Sequence, residues 1–126
     1  MRASIWVERR FEAAHHLPEV PAAHKCSNVH GHSYRVRVTI EGEVCPRMGW
    51  VRDLDTLGES LDRWVALLDH QDLNEHFTNP TCELIAAWFE QKLASYRPLT
   101  VEVSETHNSG AIVRSEEHTS ELQSQF

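Results

Sequence analysis

Residues 32–44, HSYRVRVTIEGEV, alternate between apolar and polar side chains. Tyr34, Val36, Val38 and Ile40 share one face, and Arg35, Arg37, Thr39 and Glu41 share the other. A period of two belongs to a strand, because successive side chains point to opposite sides of a pleated backbone. A strand so divided has one dry face and one wet face, the condition of an antiparallel sheet covered on one side only. The rest of the chain must supply the cover.

Two segments can do so. Leu54, Leu57, Leu61, Trp64 and Leu68 recur at steps of three or four, with Asp53 or Asp55 as candidate N-caps. Gly58 weakens this helix by up to about 1 kcal/mol relative to alanine. In NPTCELIAAWFEQKLASY, Asn79 can cap and Pro80 fits the first helical position, followed by an apolar stripe of Leu84, Ile85, Trp88, Phe89 and Leu93. Further strands are expected at residues 3–13, at WVRDL after the turn CPRMG, at LTVEVSE after Pro98 and at GAIVR beyond Gly110. The order ββααββ predicts an α+β fold with two helices on one face of an antiparallel sheet. At 126 residues the chain suits one domain.

The last segment, RSEEHTSELQSQF, has neither strand nor helix period. It resembles the conceptual translation of a sequencing-adapter oligonucleotide. The expected domain therefore covers residues 1–114, with residues 115–126 a non-native or disordered tail. The net charge is −7, or −4 without Glu116, Glu117 and Glu121. With no basic run, either value argues against a nucleic-acid partner. No apolar run approaches the roughly 20 residues that span a bilayer, and the N-terminus lacks signal-peptide architecture. Three cysteines, Cys26, Cys45 and Cys82, make no disulfide framework. A cytosolic protein with no membrane partner is expected.

Nine histidines are many for this length. His30 and His32 lie two apart at the start of the clearest strand, so both project to one face and can converge on a metal ion. Gly31 between them lets another backbone pass close by. A third ligand can come from the pair His15–His16, where the first strand ends beside the second. Three neutral imidazoles with a vacant fourth position make a catalytic type of zinc site. The alternative is a surface pair with no metal. Cys26, four residues before His30, is either a fourth ligand or a reactive thiol, since proximity to a cation lowers the thiol pKa.

Two further clusters carry possible chemistry. In LDHQDLN, Asp69 and His70 can form a proton relay, or His70 can simply meet the last carbonyls of the helix. Glu105 ends a strand in VSETHNSG. It can pair with the N–H edge of a heterocycle or stand as a solvated acid.

The segments FEAAHHLP, HKCSNVHGHSY, LDHQDLN, NPTCE and SETHNSG together resemble the 6-pyruvoyltetrahydropterin synthase superfamily, in family order over residues 11–113. The spacing Cys26-x-x-x-His30-Gly-His32 is most similar to its bacterial, 6-carboxy-5,6,7,8-tetrahydropterin synthase branch of queuosine biosynthesis.

This resemblance implies zinc on His15, His30 and His32, with His16, His24, His76, His107 and His118 as non-ligands. It implies Cys26 as base and Asp69–His70 as acid–base pair. Glu105 would anchor a pterin, with Thr81 and Glu83 lining its pocket. Cys45 and Cys82 would be structural. The implied reaction converts 7,8-dihydroneopterin triphosphate to 6-carboxytetrahydropterin, acetaldehyde and triphosphate. The implied fold is the tunnelling (T-fold) type, a four-stranded antiparallel sheet with two helices on one face. Such sheets join as a homo-oligomer, a trimer or dimer of trimers, with sites between subunits and Glu105 reaching a neighbour's zinc. Alternatives are a 6-pyruvoyl-type synthase, a non-catalytic zinc module or an inactive truncation product.

Overall fold

A computed structural model describes residues 1–115. Of the tail read as foreign, residues 116–126, including His118, lie outside the described residues. The element order is β1 (Arg2–His15), β2 (His30–Glu43), α1 (Leu54–Leu68), β3 (Gln71–Asp72), α2 (Cys82–Lys92), β4 (Leu99–Thr106) and β5 (Ser109–Arg114). The sheet runs β3-β1-β2-β4-β5. The expected α+β architecture is present, with one addition. Four long strands are antiparallel, and a fifth, two-residue β3 pairs parallel to β1 at Ala13 and Ala14.

The alternation of β2 sets the layers. Tyr34, Val36, Val38 and Ile40 are buried against Leu57, Leu61 and Leu68 of α1 and Ile85 and Phe89 of α2. Phe11 of β1 stacks on Tyr34 with ring centroids 5.0 Å apart. The opposite sheet face carries Glu8, Arg10, Arg35, Arg37 and Glu102 and has no helical cover. No helix among the described residues is long and apolar enough to cross a membrane.

Two local expectations are corrected. WVRDL is not a strand. Cys45 N–H donates to Trp50 O at 2.8 Å, closing a turn that leads straight into α1, whose N-cap is Asp53. Asn79 and Pro80 lie outside α2. The cap is Thr81, whose Oγ1 accepts from Leu84 N–H at 3.2 Å. A threonine hydroxyl two residues after the asparagine competes for the same role, and it leaves Pro80 free for another one. Gly110 is demanded by the β4–β5 hairpin, since a Cβ there would lie 2.5 Å from Val103 O.

Candidate metal centre

Strand register brings the histidines together. His15 is the Cα partner of His30, and Ala13 is that of His32. All three imidazoles fall on the helix-covered face at the end where β1 stops and β2 starts. Their ring centroids are 4.6–5.0 Å apart. One nitrogen from each lies within 4.8 Å of the others. No other group of three or more potential ligands converges in this way among the described residues.

The chain fixes which nitrogen each ring presents. His15 Nδ1 lies 2.8 Å from Pro80 O, and His30 Nδ1 lies 2.8 Å from Asn28 O. A carbonyl can only accept, so each Nδ1 carries the hydrogen and each Nε2 keeps its lone pair. Those two Nε2 atoms are 3.0 Å apart. His32 Nε2 is buried with no hydrogen-bond partner. Bare acceptors facing one another repel unless a cation lies among them. Carbonyls holding the far nitrogen of a metal-binding histidine are the usual outer support of such sites. The donor set therefore fits a divalent, imidazole-binding ion.

Electrostatics agree. Burial first of all lowers the pKa of His15 and of His32, holding both rings neutral and ready to ligate. Tyr34 forms the floor, edge-on to His15 and His32. Its hydroxyl is buried without a partner, and burial, followed by the nearby Glu105 charge, pushes its pKa well up. Burial likewise pushes the Cys82 thiol up to about 12, with Glu105 the next contributor, so it is a neutral thiol.

Glu105 comes to the histidines of its own chain: Oε2 is 3.7 Å from His15 Nε2 and 3.6 Å from His32 Nε2. Within its own chain, β4 places it at these histidines. Cys26 sits half-buried on a short 3₁₀ turn, Lys25–Ser27. Its carbonyl accepts from Leu17 N–H at 2.8 Å, which ties the two ends of the intervening loop. Its sulfur is not among the converging ligand atoms.

Asp69 and His70 do meet each other, with His70 Nδ1 3.0 Å from Asp69 Oδ1. Asp69 Oδ1 also accepts from Glu12 N–H at 2.9 Å, and that bond is the main reason its pKa is lowered. His70 takes a left-handed backbone, φ 61°, its N–H donating to Glu12 O. The pair is not among the three converging ligand side chains. His70 lies on a cavity of about 550 Å³ bounded also by Glu12, Gly31, His32 and Ser33, so it shares that cavity with one of the three histidines. Gly31 is not needed for backbone clearance, since a Cβ there would stand at an ordinary 3.6 Å from Ala13 O. Thr81 caps α2, and Glu83 is exposed in its first turn.

Sequence reasoning missed the supports. Asn74 Oδ1 accepts from His16 N–H at 2.9 Å, and its Nδ2 donates to His16 O at 3.0 Å, pinning the end of β1. Asn74 was visible only as the last letter of LDHQDLN. The carbonyls of Asn28 and Pro80 left no signal, because any residue carries one.

A family model described as 6-pyruvoyl tetrahydropterin synthase matches residues 4–116. The chain belongs to that family. It is 41% identical over 117 residues to a 6-carboxy-5,6,7,8-tetrahydropterin synthase of Synechocystis, covering 85% of this chain and 89% of the relative. It is 34% identical over 98 residues to a dihydroneopterin monophosphate aldolase of Pyrococcus furiosus, covering 78% and 81%. Among solved structures, a 6-pyruvoyl tetrahydropterin synthase of Caenorhabditis elegans superposes with a TM-score of 0.81 at 28% identity, covering 90% of this chain and 96% of the other. The family and these relatives support a pterin-processing synthase activity.

Proposed function

We propose that this chain is a zinc-dependent 6-carboxy-5,6,7,8-tetrahydropterin synthase. It would convert 7,8-dihydroneopterin triphosphate and water to 6-carboxytetrahydropterin, acetaldehyde and triphosphate, as a step toward a 7-deazapurine such as queuosine. The observation that carries the reading is the convergence of His15, His30 and His32, with the Glu105 carboxylate beside them and the Cys26 thiol four residues ahead of His30. The likeness to the Synechocystis synthase supports the carboxy product.

When bound by the three imidazoles, zinc supplies a Lewis acid for the vicinal hydroxyls of the pterin side chain. The chain's own groups do the rest. Cys26, as thiolate, removes a proton from the side chain. His70, oriented by Asp69, returns protons to the carbons that need them. Glu105 accepts hydrogen bonds from the pterin N–H edge or from side-chain hydroxyls near the histidines, with Thr81 and Glu83 lining the ring's pocket.

The sheet edges support a site assembled between copies. β1 pairs with β3 at only two residues, and β5 has no outer neighbour among the described residues. Edge-to-edge closure of three sheets removes both exposed edges. A trimer or dimer of trimers would bring one copy's His70 toward another's metal.

The test is a zinc-loaded preparation incubated with dihydroneopterin triphosphate. Acetaldehyde together with 6-carboxytetrahydropterin, identified by mass spectrometry, is the expected result. A 6-pyruvoyl product without acetaldehyde would reject the assignment. A second reading is favoured by the likeness to the Pyrococcus aldolase. On that reading the substrate is a dihydroneopterin monophosphate and the reaction an aldol-type cleavage.

A further inference from the structure

The uncovered face of the sheet carries its charges in rungs. In one rung Glu8, Arg37 and Glu102 lie side by side on β1, β2 and β4. An acid flanks the base on each side, and Arg37 Nε donates to Glu8 Oε1 at 3.0 Å. The next rung toward the histidine end is Arg10, Arg35 and Ser104. Here two guanidiniums stand on directly opposed residues with no carboxylate in the rung. Like charges so placed destabilise a sheet.

Neighbouring acids relieve the repulsion only in part, through a Glu8 carboxylate that Arg35 shares with Arg37. Glu8 Oε1 is 3.8 Å from Arg35 Nη1 but 3.0 Å from Arg37 Nε. Glu12 accepts from Ser33 Oγ at 2.7 Å. Arg35 Nη2 reaches only Ser104 Oγ, at 3.3 Å. Arg10 makes no ion pair or hydrogen bond through its side chain among the described residues. The rung opens on a cavity of about 400 Å³ bounded by Arg10, Ser33, Arg35, Glu105, Thr106 and His107. Glu105 is the wall shared with the histidine centre, 3.6 Å from His32 Nε2.

We propose that Arg10 and Arg35 form the subsite for the polyphosphate tail of the pterin substrate. This rests on the reading of the site as one that takes a pterin triphosphate. Guanidinium forks match phosphate oxygens in pairs, and an anion between them removes their mutual repulsion. The chain carries −7 overall, so its general field does not draw a polyanion in. A local basic site is needed to hold one. The cavity opens on the uncovered face and the histidines lie on the covered one; the two meet at Glu105, round which the far end of a bound side chain would pass.

The test uses the zinc-loaded full chain with Arg10→Gln, Arg35→Gln and Arg10→Lys. Calorimetric titration with inorganic tripolyphosphate is paired with steady-state kinetics on dihydroneopterin triphosphate and with inhibition by unphosphorylated dihydroneopterin. In Arg10→Gln, tripolyphosphate affinity should fall and KM rise by about tenfold, the loss of one charge-assisted contact. Inhibition by dihydroneopterin should not change, and Arg10→Lys should recover part of the affinity. Arg10 holds no other side chain, so the Arg10→Gln fold is not at risk.

Unchanged tripolyphosphate affinity in both glutamine variants overturns the proposal. Affinity lost with KM unchanged also overturns it, because the arginines would then hold the released triphosphate and not the substrate's tail. If the parent chain fails to turn over yet binds tripolyphosphate through these arginines, the reaction assignment fails and the anion subsite stands.

Discussion

His15 Nε2 and His30 Nε2 stand 3.0 Å apart, each on a ring whose other nitrogen is held by a backbone carbonyl. Neither ring can turn its N–H toward the other without losing that carbonyl. The metal-free chain therefore keeps two lone pairs opposed, and a divalent ion removes the conflict. Adding zinc should raise the melting temperature, by the equivalent of about 2.7 kcal/mol at a free concentration one hundred times Kd. His15→Ala, His30→Ala and His32→Ala should each abolish that rise in a thermal melt followed by circular dichroism. An equal zinc response in all three variants would remove the metal centre from the account.

The same cluster predicts a pH dependence of the metal-free protein. Burial lowers the folded-state pKa of His15 and His32, while in the unfolded chain both titrate near 6.5. Below that value the unfolded chain binds more protons, so stability must fall as pH falls. The loss begins near pH 6.5 and ends below the lowered folded values. Zinc should be released over the same window, because protonated rings do not ligate. Melting temperatures of chelator-treated protein between pH 7.5 and 5 check this, and a flat profile contradicts it.

Cys26 separates catalysis from metal binding. Its sulfur is not among the converging ligands, so Cys26→Ala should keep a full complement of zinc by elemental analysis. Turnover should fall by roughly 10²–10⁴-fold, the usual worth of a positioned proton acceptor. Loss of zinc in this variant would make the thiol a ligand and remove its role as base.

Much of this site was legible because it follows from strand parity. His30 and His32 share a face with Tyr34 through Ile40, and the apolar residues of β1 fix His15 on that same face. What could not be read depends on which atoms meet across the chain. The turn at Cys45–Trp50 replaced an expected strand, since WVRDL has strand-like composition but a helix begins at its end. Thr81 displaced Asn79 as cap because both residue types suit that position. The Arg10–Arg35 rung escaped a search for basic runs, since its members lie 25 positions apart in the chain and only register sets them side by side. The supporting carbonyls of Asn28 and Pro80 belong to the backbone, which sequence does not distinguish.

Asp69 and His70 predict a second separation. His70 holds φ 61°, a region that asparagine tolerates and β-branched residues do not. His70→Asn should therefore fold, bind zinc and lose turnover, again by about 10²–10⁴-fold if the imidazole moves protons. His70→Val should lose stability as well. Mixing inactive His70→Asn with inactive Cys26→Ala after dissociation and reassembly should restore part of the activity if the relay serves a neighbouring copy. No recovery in the mixed oligomer would place both groups in one chain's site.

Thr81 joins the helix to the candidate metal ligand His15. Its Oγ1 accepts from Leu84 N–H at 3.2 Å at the start of α2, and the preceding residue's carbonyl, Pro80 O, holds His15 Nδ1 at 2.8 Å. Thr81→Ala should cost about 1 kcal/mol of stability from the lost cap. Fraying of that first turn also loosens Pro80, and with it the orientation of His15. Zinc affinity should then fall in Thr81→Ala and be retained in Thr81→Ser, which keeps the hydroxyl. Denaturant melts with and without zinc, beside a competitive chelator titration, measure the two effects separately. A 1 kcal/mol loss of stability with unchanged zinc affinity would show that the ligand's orientation does not depend on the helix cap.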